Sequence, residues 1–228
     1  MSFLLDDRLT LAASMVRKGV RVADVGCDHA YLSIYLIKNK IAKQVVASDV
    51  RVGPLELAKR NIQSEGLCDK IETILSNGLD KFDPNSFDDL LICGMGGILI
   101  CDILSRAHFL KDKDKRLILQ PMTDVDLVRE WLYQNGFEII NERAAKAAGH
   151  IYSVINAVYT GNLQPCDAIS VHLGGLIKDP TIIEMEYIQK YLKTLKIRLD
   201  GKTKAQNIDE QEIDELKRLI TLIEGELV

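Results

Sequence analysis

The feature that most constrains the fold of this chain is the alternation of short β-favouring runs with helical periodicity through residue 160. Strand-like runs fall at 21–25, 44–48, 71–75, 89–93 and 116–120, and helical runs at 29–38, 54–64, 98–106 and 124–135. Strands that alternate with helices across short loops favour a parallel sheet whose two faces are covered by helices. The sequence therefore predicts an α/β fold.

The pattern changes after Gly136, which is expected to cap the last of these helices. Two further strands are predicted at 137–143 and 151–159, joined by a loop that contains Gly149 and has no helical periodicity. A dinucleotide-binding sheet would continue with another crossover helix. A terminal hairpin instead fits the Rossmann-like sheet of class I methyltransferases, whose last strand runs antiparallel.

The first predicted strand runs into the loop Asp24-Val25-Gly26-Cys27-Asp28-His29-Ala30. A pyrophosphate site would need more glycines here, because the phosphates must contact backbone amides at the helix N-terminus. Two carboxylates flank a single glycine, which favours a ligand with a cationic ammonium or sulfonium. Asp24 or Asp28 can accept hydrogen bonds from an amino group, and Gly26 admits close approach. The alternative is that Asp28 only caps the following helix.

The next two strands also end in polar residues. Asp49 ends the second strand about 20 positions beyond the glycine loop, where a carboxylate can accept both ribose hydroxyls. An ordinary surface aspartate is the alternative. Asn77 and Gly78 follow the third strand, where an amide can pair with an adenine edge, although Asn-Gly is also a common turn. Because ligands of open α/β sheets bind at the carboxyl ends of the strands, these signals together predict one bound nucleoside.

The fourth strand ends in the loop Ile92-Cys93-Gly94-Met95-Gly96-Gly97. Glycines at this turn leave room for a second flat ligand against the backbone, with Met95 as an apolar wall. A phosphate-binding nest is one alternative, although the loop lacks the lysine of a P-loop. A purely structural tight turn is the other.

Charge and cysteine content limit the remaining classes of function. The 228 residues carry a formal net charge of −4, which does not by itself indicate nucleic-acid binding but leaves room for a local basic face. The five cysteines form no CxxC pair, which favours reduced thiols over disulfides or a zinc site. The N-terminus lacks a secretory signal, and the longest apolar run is too short to span a bilayer. We expect a cytoplasmic protein without metal or membrane partner.

The tail from residue 161 predicts two amphipathic helices. Asp179-Pro180 is expected to start the first helix, whose apolar residues repeat at heptad spacing until Gly201. Asp209 and Glu212 are expected to cap the start of the second. Two such helices joined by a loop predict an antiparallel hairpin, a small coiled coil.

The charges of this tail are divided between its two helices. The first helix and its loop are basic, and the second stretch is acidic. The lysines of interest are Lys190, Lys193 and Lys196. These charges either contact RNA, pair the two helices with each other or mediate dimerisation.

Several motifs together resemble one family. They are Asp24-Val-Gly-Cys-Asp-His-Ala-Tyr-Leu32, Gly53-Pro54, Ile92-Cys-Gly-Met-Gly-Gly97, Leu117-Ile-Leu-Gln-Pro121 and Arg129-Glu-Trp-Leu-Tyr133. They look like the successive motifs of the bacterial tRNA (adenine-22-N1)-methyltransferases, and the tail resembles that family's C-terminal coiled-coil hairpin. The resemblance divides the chain into an S-adenosylmethionine-binding domain, 1–160, and a tRNA-contacting hairpin, 161–228.

This resemblance implies methyl transfer from S-adenosyl-L-methionine to N1 of adenine 22 in tRNA. It places the cofactor against Asp24, Gly26, Asp28, His29, Asp49, Asn77, Gly78 and Gly94. It implies catalytic roles for Asp24, Asp28 and His29. The residues that would contact the substrate are Arg8, Met95, Gly96, Gly97, Lys190, Lys193 and Lys196.

Three other functions remain open at this stage. The first is methylation of a small molecule, with the helical tail as a lid or dimer arm. The second is a non-catalytic binding protein on the same fold. The third, an NAD-dependent oxidoreductase, is disfavoured by the missing glycines and the terminal hairpin. We expect a monomer or a weak homodimer with tRNA as partner.

Overall fold

The structure, a computed structural model, describes residues 4–204 and 209–227. A seven-stranded sheet has the strand order β3-β2-β1-β4-β5-β7-β6. Its strands are β1 (Val20–Val25), β2 (Ala42–Asp49), β3 (Ile71–Leu75), β4 (Asp89–Met95), β5 (Arg116–Pro121), β6 (Phe137–Ala147) and β7 (His150–Tyr159). Strands β1 to β5 pair in parallel, and β7 lies antiparallel between β5 and β6. The predicted α/β sheet with an antiparallel last strand is confirmed.

Helices cover both faces of this sheet, and others follow in the tail. They are α1 (Asp7–Met15), α2 (Tyr31–Lys38), α3 (Val52–Ser64), α4 (Gly97–Arg106), α5 (Val125–Gln134), α6 (Ala168–His172), α7 (Ile182–Thr203) and α8 (Glu210–Glu226). Helices α1, α2 and α3 pack in one apolar cluster, and α4 and α5 pack in another on the opposite face. Among the described residues, no helix is long and apolar enough to cross a membrane.

The central strand β4 shows how the sequence builds two cores at once. Leu91 belongs to one cluster, whereas Leu90 and Ile92 belong to the other, and all three are completely buried. Successive side chains of a strand point to opposite faces, so an unbroken apolar run is needed when both faces are covered. Burying each of these side chains contributes roughly 1.5–3 kcal/mol.

The predicted order of strands and helices is confirmed, and the predicted ends differ from the observed ones by two residues or fewer in the parallel part of the sheet. Strands β3 and β4 are an exception to the alternation, because residues 76–88 between them form turns without a helix. These turns bring Ser76, Asn77 and Gly78 directly to the carboxyl edge of the sheet.

The β6–β7 hairpin is longer than predicted and extends beyond the rest of the sheet. Its two strands are joined by Ala148 and Gly149, whose φ angles of +49° and +76° suit a type I′ turn. Pairing of β7 with β5 stops at Leu119 and Ile155, but its pairing with β6 continues to the turn. The hairpin therefore projects past the carboxyl ends of the parallel strands.

The predicted start of the first tail helix is wrong. Helix α7 begins after Thr181, not at Asp179-Pro180, and Thr181 forms a capping box with Glu184. Asp179 has a φ of +52°, whereas an N-cap residue adopts an extended conformation. The helix also continues through Gly201 to Thr203, since one exposed glycine costs only about 1 kcal/mol in a helix.

The second tail helix begins as predicted, and the two helices form an antiparallel hairpin. Asp209 is the N-cap of α8 and accepts a hydrogen bond from the Glu212 amide at 3.1 Å. Lys196 pairs with Glu224, and Lys202 pairs with Glu212, each at 2.6 Å. Because the later lysine pairs with the earlier glutamate, the helices run in opposite directions. Opposite charges do pair the helices, as one of the alternatives expected.

A buried ion pair joins the start of the tail to the sheet. Arg129 of α5 and Glu142 of β6 are both almost completely buried, with 2.7 Å between Nη2 and Oε1. Arg129 also donates to the Val171 and His172 carbonyls at 3.0 and 2.8 Å, and the Gly175 amide donates to Glu142 at 2.8 Å. The segment that contains α6 is thereby fixed to the sheet.

Candidate active site

A cleft of about 510 Å³ opens at the carboxyl edge of the parallel strands. It is bordered by the loops that follow β1, β2, β3 and β4, and α1 contributes to one side. Every residue that the sequence assigned to the cofactor lies in its wall, namely Asp24, Gly26, Asp28, His29, Asp49, Asn77, Gly78 and Gly94. The structure thus brings these residues together at one edge of the sheet.

The loop after β1 brings a buried carboxylate to the floor of the cleft. Asp24 is 3% exposed and accepts a hydrogen bond from the Ser33 hydroxyl at 2.6 Å. Burial raises the pKa of Asp24 to about 6, because removal from water disfavours the charged form, and the Ser33 bond opposes this only in part. A cation bound nearby would favour the ionised carboxylate.

Gly26 gives the loop its shape. Its φ of +77° lies in the region that favours glycine, and its amide and that of Cys27 both donate to the Ser48 carbonyl at 2.8 Å. A Cβ at Gly26 would collide with the methyl end of Met95. The backbone here and the Met95 side chain therefore approach each other across the cleft, as expected of an apolar wall.

Asp28 does not cap the following helix. The N-cap position of α2 is Ala30, which has a φ of +59°, and within the described chain no side chain caps this helix. Asp28 itself has a φ of +49°, is exposed, and lies 3.3 Å from Nε2 of His29. Positive φ at two non-glycine residues of one short loop, Asp28 and Ala30, is strained and typical of functional loops.

His29 carries a buried ring nitrogen at the wall of the cleft. Its Nδ1 has no hydrogen-bond partner among the residues that the structure describes. The Asn61 side chain donates to the His29 carbonyl at 2.9 Å and holds this backbone in place. A buried polar atom without a partner costs about 1–3 kcal/mol, so a ligand that contacts it recovers stability.

The loops after β2 and β3 hold each other. Asp49 is buried, its Oδ1 accepts a hydrogen bond from the Arg51 amide at 2.9 Å, and its carbonyl accepts one from the Ser76 amide at 3.0 Å. The Ser76 hydroxyl donates to the Gly78 carbonyl at 3.0 Å. These bonds place the Asp49 carboxylate and the Asn77 amide on one side of the cleft.

The glycine loop after β4 divides into two parts. Gly94 and Met95 line the cleft, but Gly96 and Gly97 do not. Gly97 donates its amide to the Thr123 carbonyl at 3.0 Å, and a Cβ there would collide with the Asp124 carbonyl. Close backbone packing explains why position 97 is a glycine, a residue that the sequence analysis had associated with the substrate.

The predicted lysines lie on α7, away from the residues that line the cleft. Lys190 and Lys193 are exposed, and neither has an ion pair within the described residues. Lys196 is bound to Glu224 on α8. Of the predicted RNA contacts, Arg8 and Met95 alone among these residues reach the cleft wall.

Sequence reasoning gave no role to several residues at this edge. They are Tyr31, Cys93, Leu99 and Ile103 in the wall, and Gln120 and Tyr152 beside Arg8. Gln120 stood in a recognised motif, but only the structure shows what it binds. The cysteines at the cleft are inert, because burial raises the pKa of the Cys27 and Cys93 thiols far above neutral.

The charge of the cleft favours a cationic ligand. Asp24, Asp28 and Asp49 are its carboxylates, whereas Arg8 and Arg51 are its arginines. Arg51 lies 3.6 Å from Asp49, and Arg8 lies 3.2 Å from Asp6, so both cations are already engaged. Among the described residues, no group of three or more His, Cys, Asp or Glu side chains is placed to hold a metal ion.

Comparison with known proteins gives a consistent result. Residues 5–155 match the family model described as a methyltransferase domain. A tRNA (adenine(22)-N(1))-methyltransferase of Bacillus subtilis is 34% identical over 173 residues, which cover 76% of this chain and 73% of the relative.

Solved structures extend the similarity over the tail. A crystal structure of the Bacillus subtilis m1A22 tRNA methyltransferase is 28% identical, with a TM-score of 0.88 and 100% of both chains covered. A Streptococcus pneumoniae protein in complex with S-adenosyl-L-methionine is 33% identical, with a TM-score of 0.86, and the match covers 99% of this chain and 100% of that one.

Proposed function

The chain belongs to the tRNA (adenine-22-N1)-methyltransferase family, and from this premise we propose that its cleft transfers a methyl group from S-adenosyl-L-methionine to N1 of adenine 22 in tRNA. One observation carries the proposal. The acidic loop after β1, the carboxylate after β2 and the amide after β3 line a single cavity at the edge where open α/β sheets bind ligands.

The residues in the cleft fit this cofactor. When bound, S-adenosyl-L-methionine supplies an electrophilic methyl group on a sulfonium. Asp49 is placed to accept the ribose hydroxyls, and Asn77 is placed to pair with the adenine edge. Asp24 and Asp28 attract the ammonium and sulfonium, and the unpartnered Nδ1 of His29 offers a contact to the methionine end.

The target adenine needs placement more than a strong base. Its N1 carries an in-plane lone pair, so attack on the methyl group requires no prior loss of a proton. Holding the two reactants in line can lower the barrier by roughly 7–11 kcal/mol. Gly94, Met95 and Arg8 line the same cleft as the residues that we assign to the cofactor. We propose that Met95 and Arg8 hold the adenine there.

The carboxylates also have a role after the methyl group moves. Positive charge passes to the purine, and a nearby carboxylate stabilises the resulting cation. We assign this role to Asp28, which is exposed and lines the cleft, together with the buried Asp24. Because N1 lies on the Watson–Crick edge, the adenine must be unpaired or extruded before it can enter.

The tail is proposed to contact tRNA. We propose the division into a methyltransferase domain at 1–160 and a helical hairpin at 161–228, with Lys190 and Lys193 bound to phosphates. Their exposure and lack of an ion pair within the described chain support this role. Lys196 fits it less well, since Glu224 already binds it. We further propose that the protein works in the cytoplasm as a monomer or weak homodimer.

Transfer of labelled methyl from S-adenosyl-L-methionine to transcribed tRNA tests the proposed function. We expect label in tRNA with the wild type and its loss with Asp28→Ala, while calorimetry shows that Asp49→Ala loses cofactor affinity. Cofactor binding without any transfer to tRNA would favour a small-molecule methyltransferase. Failure to bind the cofactor would favour a non-catalytic binding protein.

A further inference from the structure

A buried glutamine connects the cleft to the first helix. Gln120, at the end of β5, is completely buried. Its Oε1 accepts hydrogen bonds from the Gly94 amide, at 3.1 Å, and from Nη1 of Arg8. Its Nε2 donates to the Pro121 carbonyl at 2.8 Å. One side chain thus contacts two residues of the cleft wall without lining the cleft itself.

The bond to Gly94 supports an irregularity in the sheet. Cys93 pairs with Gln120 and Met95 pairs with Pro121, so Gly94 is an extra residue in β4. Its φ is +80°, as a bulge with glycine in the left-handed region requires. A bulge takes its residue out of the regular ladder, and here the Gln120 side chain supplies an acceptor for the Gly94 amide.

The bond to Arg8 fixes a cation at the rim. Arg8 comes from α1, lies 112 residues before Gln120 and is mostly buried at the side chain, which is 15% exposed. Its guanidinium carbon lies 5.7 Å from the centre of the Tyr152 ring, within the projecting β6–β7 hairpin. Gln120 therefore joins α1, the β4 bulge and, through Arg8, the hairpin.

We propose that Gln120 is a positioning residue for methyl transfer, an inference that rests on the proposed function. It acts through Arg8, which we assign to the substrate, and through Gly94, which directly precedes Met95, another residue that we assign to the substrate. Loss of its acceptor oxygen frees the Arg8 guanidinium and the bulge to move. A misplacement of about 1 Å at such a site lowers turnover on the order of 100-fold.

Variants of Gln120 and Arg8 test this inference with transcribed tRNA. Gln120→Met keeps the volume and removes the acceptor, and we expect kcat/KM for tRNA to fall on the order of 100-fold. We expect the Kd for S-adenosyl-L-methionine to change by no more than about threefold, a difference below 1 kcal/mol. Gln120→Glu keeps an acceptor oxygen for Gly94 and Arg8, although its second oxygen can replace the donor to the Pro121 carbonyl only when it is protonated. Because the bonds to Gly94 and Arg8 remain, we expect it to lose less activity than Gln120→Met.

The double variant Arg8→Ala/Gln120→Met separates positioning from general destabilisation. Residues that act as one unit are not additive, so the double variant is expected to be no slower than the slower single variant. A matched control is Asn156→Leu, which removes another buried amide. Asn156 lies in β7, and its side chain donates to the carbonyl of Met15 in α1 at 3.4 Å. It is expected to lower the melting temperature and leave kcat/KM unchanged.

The outcomes distinguish this inference from the function on which it rests. An active wild type with unchanged kcat/KM in Gln120→Met would overturn the inference alone, as would multiplied losses in the double variant. A wild type that methylates no tRNA would overturn the proposed function and the inference with it. If Gln120→Met does not fold, Gln120→Glu and Arg8→Ala can still be compared. The inference expects a smaller loss of kcat/KM in Gln120→Glu, so equal losses in the two variants would contradict it.

Discussion

The cleft and the helical tail hold their charges in opposite ways. In the cleft, Asp24, Asp28 and Asp49 face one cavity, and the loop that carries two of them has positive φ at Asp28. In the tail, Lys196 and Lys202 each lie 2.6 Å from a glutamate of the facing helix, and no residue of α7 or α8 has a positive φ. Like charges gathered in strained backbone indicate a ligand site, whereas matched charges on regular helices indicate packing.

The largest expected effect is on stability, and it comes from removing one partner of the buried ion pair between Arg129 and Glu142. Arg129→Met leaves Glu142 buried without its partner, and we expect the free energy of unfolding to fall by about 3–5 kcal/mol. Lys196→Met is the control, because its exposed pair with Glu224 is worth at most about 1 kcal/mol. Denaturant titration measures both. A loss below about 1 kcal/mol for Arg129→Met would show that this buried pair does not hold the structure together.

The second prediction concerns the close approach at Gly26. Gly26→Ala forces Met95 into the cavity, and we expect affinity for S-adenosyl-L-methionine to fall on the order of 30-fold, or about 2 kcal/mol. Gly19 is a matched control, since it has the same φ of +77° and open space where its Cβ would lie. Gly19→Ala is expected to lower stability and leave affinity unchanged, as measured by calorimetry. Equal affinity losses in both variants would refute the role of close approach.

The third prediction follows from the raised pKa of Asp24, which is about 6. In the unfolded chain this carboxyl releases its proton near pH 4, whereas in the ligand-free folded protein it keeps the proton up to about pH 6. The tighter proton binding stabilises the folded state at low pH, and this stabilisation is lost as pH rises through about 6. A bound cation favours the ionised carboxylate. Affinity for S-adenosyl-L-methionine should therefore weaken below pH 6, by at most about tenfold per pH unit.

Asp24→Asn is the control for this pH dependence, because its side chain cannot titrate. We expect its binding isotherms to give a Kd that varies little between about pH 5 and 7, around the Asp24 pKa of about 6. The same slope in wild type and variant would assign the titration to another group.

The smallest expected effect is in the tail. Lys190→Gln/Lys193→Gln is expected to weaken tRNA binding a few-fold and to reduce the salt slope of log K by about 0.7–0.9 per lysine. Lys202→Gln removes a lysine that Glu212 already binds, and it should change the slope little. Filter binding over a range of salt concentrations measures both slopes. Identical slopes for the wild type and the double variant would exclude these lysines from the RNA surface.

The sequence predicts a group of residues that the structure brings into one cleft, and it can do so because the signals are local. Asp49 ends β2, Asp24 lies one residue before the end of β1, and Asn77 lies two residues beyond the end of β3. The parallel sheet alone brings strand ends together. The sheet follows in turn from apolar runs such as Leu90-Leu91-Ile92, whose residues fill both cores. Local periodicity was therefore sufficient for the fold and for placing these residues at one edge of the sheet.

The other half of the site depends on contacts between distant residues. Arg8 and Gln120 meet across 112 positions, and the Gly94 bulge exists only in the register of β4 against β5. In the tail, Asp179-Pro180 had the composition of a helix start, but the helix begins after Thr181, whose capping box with Glu184 fixes its first residue. Tertiary contacts such as that of Arg8 with Gln120 cannot be read from local sequence, whereas the spacing of Thr181 and Glu184 is itself a local signal for a capping box.

The measurement that tests the central claim most directly is the position of the methyl group. Transcribed tRNA would be incubated with the protein and S-adenosyl-L-methionine, digested with nuclease and analysed by mass spectrometry. The account predicts N1-methyladenosine at position 22, its absence with Asp28→Ala, and its absence when adenine 22 is replaced by guanine. Methylation at another nucleotide, or methylation that persists after that replacement, would contradict it.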